Sequence, residues 1–409
     1  MQYIDNSILQ TILSSDQPKI VLYIMSDHRH HSLQNELSCI YVKTSDGEFY
    51  SSFSHPDYPK QSTQGLVINN AYTTNIKDLM NLGIKVNDSV DVLYFEDVVS
   101  SGLLNKFYEI KLDKVRNINN IVPIFKHIEN LRNVANSLKF IPVDTRYKTM
   151  YHNLMPYVFS QIERRGVPVN NELFLDYYGQ DKIDLIRDNR VYTSYNLYTT
   201  TGRPSNTHSG VNYAALNKAD GSRRIFGGDK VMVNIDFNSY HLFLICEKLG
   251  IELPTNAHEW LGKMYFNKDV LSEVEYDEAK KITFRNLYGY QMDENVKNLE
   301  LFKKIAELQE NLWTQYQSAG YLLTDYNNRI VVENASKNKV FNYYIQSLET
   351  ETNVKQLYNI IDKNLTPILY TYDSMVFEIE YNEAEYTRNT LKEQLIFPYT
   401  TKIGHNLEF

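Results

Sequence analysis

In the N-terminal part of the chain apolar residues gather in short runs, at 20–25, 38–42, 67–68 and 90–94, with polar turns between them. The first two runs predict strands of an α/β layer, and residues 1–115 read as a small domain of their own. From 117 to 173 the apolar spacing lengthens to three and four residues. Ile121, Ile124, Phe125, Ile128 and Leu131, and later Met155, Val158, Phe159 and Ile162, predict helices. A boundary is expected near 140–146, and Gly166 and Pro168 end the second helical stretch. Residues 192–226 read as strands and loops. Then come a buried strand at 231–235 and helices at 241–249, 256–266 and 276–290. The C-terminal part predicts a helix over 341–363, a hairpin over 367–379 and a last helix over 383–395, and no internal repeat is visible.

The 409 residues suit two or three subdomains. With 43% hydrophobic and 22% charged residues the composition is that of a globular protein without low-complexity bias. The apolar runs are strand-sized, far short of the roughly 20 residues that cross a bilayer, and the first residues lack a secretory pattern. Only Cys39 and Cys246 are present, with no CxxC spacing, which excludes a zinc ribbon or a disulfide scaffold and fits a reducing, cytoplasmic setting, a host's cytoplasm if the source is viral. The net charge of −8 excludes a uniformly basic surface but leaves room for a local basic groove. The 33 tyrosines, with abundant Asn, Ile and Lys, suggest an AT-rich coding genome and point to a phage or other mobile element.

Three segments carry candidate chemistry. Asp236 ends the strand at 231–235 just before a helix, where it can be a rigidly held metal ligand or a helix cap. Asp373 lies at the turn between two short apolar strands, where it can be a ligand or an ordinary turn residue. Two carboxylates on adjacent strands of one sheet can bridge two divalent ions roughly 3.5–4 Å apart for in-line phosphoryl transfer, and hard oxygen ligands favour Mg²⁺. Lys280, Phe284 and Tyr288 recur every four residues on one helical face. They suit a triphosphate, a base and a sugar, or equally a core-packed amphipathic helix with a snorkelling lysine.

The ordered set of segments resembles the signatures of the family A (polymerase I-like) DNA polymerases over residues 150–409. Thr200-Thr201-Gly202-Arg203-Pro204-Ser205 resembles T-x-T-G-R-x-S, and Val211-Asn212-Tyr213-Ala214 is similar to the stretch after it. Asp236-Phe237-Asn238-Ser239-Tyr240-His241-Leu242 resembles motif A, and Lys280, Phe284, Tyr288 and Gly289 match the core of motif B. Tyr372-Asp373-Ser374 stands in the place of motif C, Asn256-Ala257-His258 looks like D-x-H, and Asn342 to Gln346 keeps the N-x3-Q spacing.

The resemblance implies an α/β (α+β) fold, a right-hand polymerase with palm and fingers over 200–409 and fingers at about 250–330. It places a helical connector with a reduced thumb at 116–199 and a degenerate, RNase H-like, exonuclease-like α/β domain at 1–115. It implies that Asp236 and Asp373 are catalytic and hold two Mg²⁺ ions, with Mn²⁺ as an alternative. His258, Lys280, Phe284, Tyr288 and His241 would bind the nucleotide, and Arg203, Asn212, Asn342 and Gln346 the primer-template. The expected partners are primer-template DNA, dNTPs and a processivity or replisome protein, with no membrane.

Departures from the family pattern qualify these expectations. Tyr276 replaces an arginine, His241 replaces the glutamate that excludes a 2′-hydroxyl, and Tyr372 and Ser374 flank Asp373 in place of His and Glu. Between Leu173 and Thr200 there is room for one helix, around 181–190, where the family inserts a long thumb, so distributive synthesis is expected. Asp27 is followed by Arg29 rather than completing D-x-E, so proofreading is not expected, and His28, His30 and His31 read as an exposed turn, with a metal-binding cluster as the alternative. The sequence thus predicts a DNA-templated DNA polymerase. A single-subunit RNA polymerase or primase-like enzyme, or a catalytically retired DNA-binding scaffold, are the alternatives.

Overall fold

A computed structural model describes residues 1–26, 31–56, 58–94, 124–206, 211–288, 296 and 298–409. The candidate residues Asp27, His28, His30 and Gly289, Ile121 of the helical pattern and the expected boundary at 115/116 lie outside the described residues. The chain divides into two compact units. The first holds Met1–Tyr198 and Ser205–Phe226, the second Thr199–Pro204 and Gly227–Phe409.

The first unit is built on a six-stranded sheet of β1 (Gln2–Tyr3), β2 (Lys19–Met25), β3 (Leu37–Lys43), β4 (Glu48–Ser52), β5 (Ala71–Thr73) and β6 (Val90–Asp91), ordered β1-β4-β3-β2-β5-β6. Strand residues alternate between faces. Val21, Tyr23 and Met25 therefore meet Leu9 and Leu13 of α1 (Asn6–Ser14) and Ile76 and Leu79 of α2 (Ile76–Asn81). Ile20, Leu22 and Ile24 meet Ile124, Ile128 and Leu131 of α3 (Ile124–Ser137). Cover on both faces is why β2 reads as an unbroken apolar run.

Helix α4 (Met155–Arg165) packs against α2 and carries the fully buried Glu163. Its carboxylate takes Lys77 Nζ at 2.6 Å, Asn81 Nδ2 at 2.6 Å and the Tyr195 amide at 2.6 Å, with His31 Nε2 3.3 Å away. His31, expected on an exposed turn, thus has its side chain only 5% exposed, because the buried carboxylate recruits it.

After α5 (Asn171–Tyr178) the expected helix around 181–190 is absent. A 3₁₀ turn, Gln180–Leu185, leads into a hairpin in which Ile186–Arg187 pairs with Arg190–Val191. Asp188 (φ 52°) and Asn189 (φ 55°) both take the left-handed conformation that a tight two-residue hairpin needs. Local turn chemistry overrides the helical charge pattern, and Arg190 is spent on the carbonyls of Arg165 and Gly166.

The second unit is organised by a four-stranded antiparallel sheet of β7 (Gly227–Phe237), β8 (Leu369–Thr371), β9 (Ser374–Ile379) and β10 (Tyr399–Asn406), ordered β8-β9-β7-β10. Its helices among the described residues include α6 (Tyr240–Leu249), α7 (Ala257–Phe266), α8 (Glu273–Leu287), α9 (Glu300–Ala319), α10 (Lys337–Asp362) and α11 (Ala384–Gln394). Ser272 and Glu275 form a reciprocal cap that fixes the start of α8. Gly262 of α7 lets α8 approach closely, since a Cβ there would stand 2.8 Å from the Ala279 Cβ. The 26-residue α10 carries Phe341, Ile345, Leu357 and Ile361 into the core. Among the described residues no helix is long and apolar enough to cross a membrane.

Candidate active site

Asp236 sits one residue from the end of β7, half-buried. It does not cap the following helix: the cap of α6 is Ser239, held left-handed at φ 50°, and its backbone carbonyl takes the Leu242 and Phe243 amides. Asp373 occupies the two-residue tip between β8 and β9, with Thr371 and Ser374 as the closing pair. Asp236 is the cross-strand partner of Ser374, and the Phe237 amide donates to the Asp373 carbonyl at 3.0 Å. Strand register therefore brings the two aspartates to the same end of neighbouring strands.

Their electrostatics show negative charge that the protein leaves largely uncompensated. Burial pushes the Asp236 carboxyl above its ordinary range, with Lys402 acting against the shift. The Asp373 side chain reaches solvent, yet protein crowds it closely enough that burial, Glu349 and Asp236 push it up, with His241 opposing. Among the described residues no cluster of three or more His, Cys, Asp or Glu side chains could hold an ion. The two carboxylates offer hard oxygen donors, a type that suits Mg²⁺, which takes further ligands from water and phosphates.

Most of the remaining predicted residues of the second unit are linked by contacts that lead back to the tip at Asp373. Lys280 lies on α8 with Nζ 4.4 Å from the centre of the Tyr276 ring and 3.9 Å from Asp277. The Phe284 ring, 41% exposed, stands 5.4 Å from His258 and stacks nearly parallel to Tyr288 at 6.3 Å. Helix α8 ends at Leu287 with Tyr288 as its C-cap, and the last two residues of the expected helix, 289 and 290, lie outside the described residues. The Tyr288 hydroxyl is 2.6 Å from His241 Nδ1, and His241 Nε2 is 3.1 Å from Glu349. Arg203 Nε lies 3.2 Å from the same carboxylate, and its guanidinium stacks 3.7 Å from the centre of the Tyr372 ring, next to Asp373. Gln346 accepts from Thr201 at 3.5 Å, and Asn342, one turn earlier on α10, has a buried Oδ1 without a partner among the described residues. Asn212 belongs to the first unit, exposed before a short 3₁₀ turn.

His258 is 6% exposed, and its Nδ1 has no partner among the described residues. Burial, with Lys280 adding to it, pushes its imidazole down from 6.5 to about 4, so it is neutral near pH 7. Between those values the unfolded chain binds a proton that the folded chain refuses, so stability falls as pH drops. A loss of about 2 kcal/mol between pH 7 and pH 5 is expected from this one group. Urea unfolding of the wild type and of His258→Gln at both pH values checks it: the variant should lose that part of the slope, and equal slopes would contradict it.

Sequence reasoning missed Glu349 and Asn353. Both are fully buried on α10, and Asn353 Nδ2 donates to the Tyr372 carbonyl at 2.9 Å. The signal was available: Phe341, Ile345, Glu349, Asn353 and Leu357 recur every four residues, so two polar side chains interrupt an apolar stripe. Ser374, which lacks the carboxylate of the family pattern, donates to Asn234 Oδ1 at 2.7 Å and ties β9 to β7.

No family model matches this chain, and no curated protein matches it in sequence. Among solved structures it is similar to the POL domain of Pol1 from M. smegmatis, solved in complex with DNA primer-template and dNTP. The TM-score is 0.69 at 13% identity, over 100% of this chain and 99% of that chain. The mixed α/β fold is that of a DNA polymerase I polymerase domain.

Proposed function

We propose that this chain, with the fold of a DNA polymerase I polymerase domain, is a template-directed DNA polymerase that extends a primer 3′-hydroxyl with dNTPs. The observation that carries the reading is the placement of Asp236 and Asp373 at one end of adjacent strands, where burial pushes both carboxyls up. Two Mg²⁺ ions held by this pair would lower the pKa of the attacking hydroxyl and stabilise the departing pyrophosphate.

The chain's own side chains supply the rest. Lys280 offers a positive charge to the triphosphate, and the neutral His258 offers a hydrogen bond rather than a second charge. The exposed Phe284 ring and the Tyr288 ring form an apolar wall for base and sugar. On this reading Arg203, anchored beside Asp373, contacts the primer-template together with Asn342 and Gln346 of α10.

The segment between Leu173 and Thr200 holds a short helix, a 3₁₀ turn and a hairpin, little surface with which to grip a duplex. Synthesis by the isolated chain is therefore distributive. Primer extension with excess unlabelled trap DNA tests this: products should be a few nucleotides long per binding event, and extension by hundreds would contradict it.

His241 favours weighing a second substrate, ribonucleotides, because an imidazole held by Glu349 and Tyr288 stands where the resemblance leads one to expect a glutamate. Parallel extension with dNTPs and rNTPs decides: the DNA polymerase reading requires a higher kcat/KM for dNTPs.

A further inference from the structure

Tyr372, immediately before Asp373, has φ 63°. A bulky residue is rarely left-handed, and such a conformation persists only where the surroundings impose it. The two-residue tip between β8 and β9 calls for it, and two buried side chains one turn apart on α10 hold it there. Asn353 is fixed by the Tyr240 hydroxyl, which donates to its Oδ1 at 2.5 Å, and its Nδ2 lies 3.1 Å from the Tyr370 hydroxyl. Thus oriented, Nδ2 donates to the Tyr372 carbonyl at 2.9 Å and holds the tip from the backbone side.

Glu349 acts on the ring side. Its fully buried carboxylate pairs with Arg203 Nε at 3.2 Å and accepts from Nη2 at 3.4 Å, which presses the planar guanidinium onto the Tyr372 ring at 3.7 Å. A guanidinium can meet a carboxylate along its edge while its face covers an aromatic ring.

We propose that Glu349 and Asn353 are positioning residues, a two-point clamp that holds Tyr372 left-handed and thereby aims Asp373 at the ions it shares with Asp236. The clamp rests on the polymerase reading only in that Asp373 is taken as a metal ligand. It explains why two polar residues occupy an apolar helical stripe, and why Arg203, far away in sequence, is drawn to a hairpin tip.

The test is Mn²⁺ affinity of the full chain without nucleic acid, read from the electron paramagnetic resonance signal of the free ion. Wild type should bind Mn²⁺ in a manner removed by Asp373→Asn. Asn353→Ala should weaken that binding by about tenfold, the scale of one strained residue. In a Tyr372→Gly background the same substitution should change it by less than about twofold, because glycine takes a positive φ without strain. Arg203→Lys, which keeps a cation beside the buried Glu349 but loses the planar face over the Tyr372 ring, should show the same dependence on background and decides the matter if Asn353→Ala does not fold. Equal losses in both backgrounds, or no loss, overturn the clamp and leave the polymerase reading standing. Mn²⁺ binding that ignores Asp373→Asn overturns both.

Discussion

Replacing Asp236 or Asp373 with asparagine is expected to lower templated nucleotide addition by about 10³-fold or more while the protein stays at least as stable as wild type. Asparagine keeps the size of each side chain and, at 373, remains a good turn residue, so neither β7 nor the β8–β9 hairpin should be disturbed. What it removes is a charge that the fold holds at a cost. Burial pushes both carboxyls up, and Glu349 and Asp236 push Asp373 further. A carboxyl whose pKa is raised by folding makes the folded state less stable once it ionises, so its removal stabilises near pH 7. Low activity with an unchanged or raised melting temperature is the signature of a charge kept for function. Primer extension under single-turnover conditions, with thermal unfolding of the same samples, checks it. Wild-type activity in either variant would contradict it.

The second large effect lies in the first unit. Glu163→Ala is expected to destabilise it by about 3–5 kcal/mol, the cost of leaving one member of a buried ion pair without its partner. Burial alone would raise the Glu163 carboxyl, but Lys77 and His31 outweigh it and hold the group at about 2. Because the folded value is below the ordinary 4.5, the contribution of Glu163 is complete above that pH and is lost as pH falls toward 2. Removing Lys77 as well should restore at least half of the loss, since an all-apolar replacement leaves no orphaned charge. Denaturant unfolding of Glu163→Ala and of Lys77→Met/Glu163→Leu measures both. A single variant within about 0.5 kcal/mol of wild type would show that the pair contributes nothing.

Local pattern carried the sequence reading where an element is stabilised by its own neighbours. The apolar runs at 20–25 and 231–235 and the hairpin at 367–379 lie within β2, β7 and the β8–β9 pair. Strand β10 escaped because its residues are largely exposed at a sheet edge and carry no alternation to read. Helix α9 escaped although Leu301, Phe302, Ile305, Leu312 and Tyr316 repeat at helical spacing, a signal that was present and unread. The hairpin at 186–191 turned on two left-handed residues, which charge spacing does not report.

For the site, motif order brought out residues that the second unit places along one line, from Lys280 through Tyr288 and His241 to Asp373. Glu349 and Asn353 stayed hidden because their partners, Arg203, Tyr240 and Tyr372, are remote in sequence and meet them only once α10 packs beside the sheet. A buried polar residue on an apolar stripe is visible in the sequence. What it holds is not.

The most direct test of the central claim is single-nucleotide addition to a primed DNA template, with each of the four template bases offered each of the four dNTPs in Mg²⁺. The account predicts addition of the complementary nucleotide in each case, and its loss in Asp236→Asn and Asp373→Asn. No addition by the wild type, or addition that ignores the template base, would contradict it.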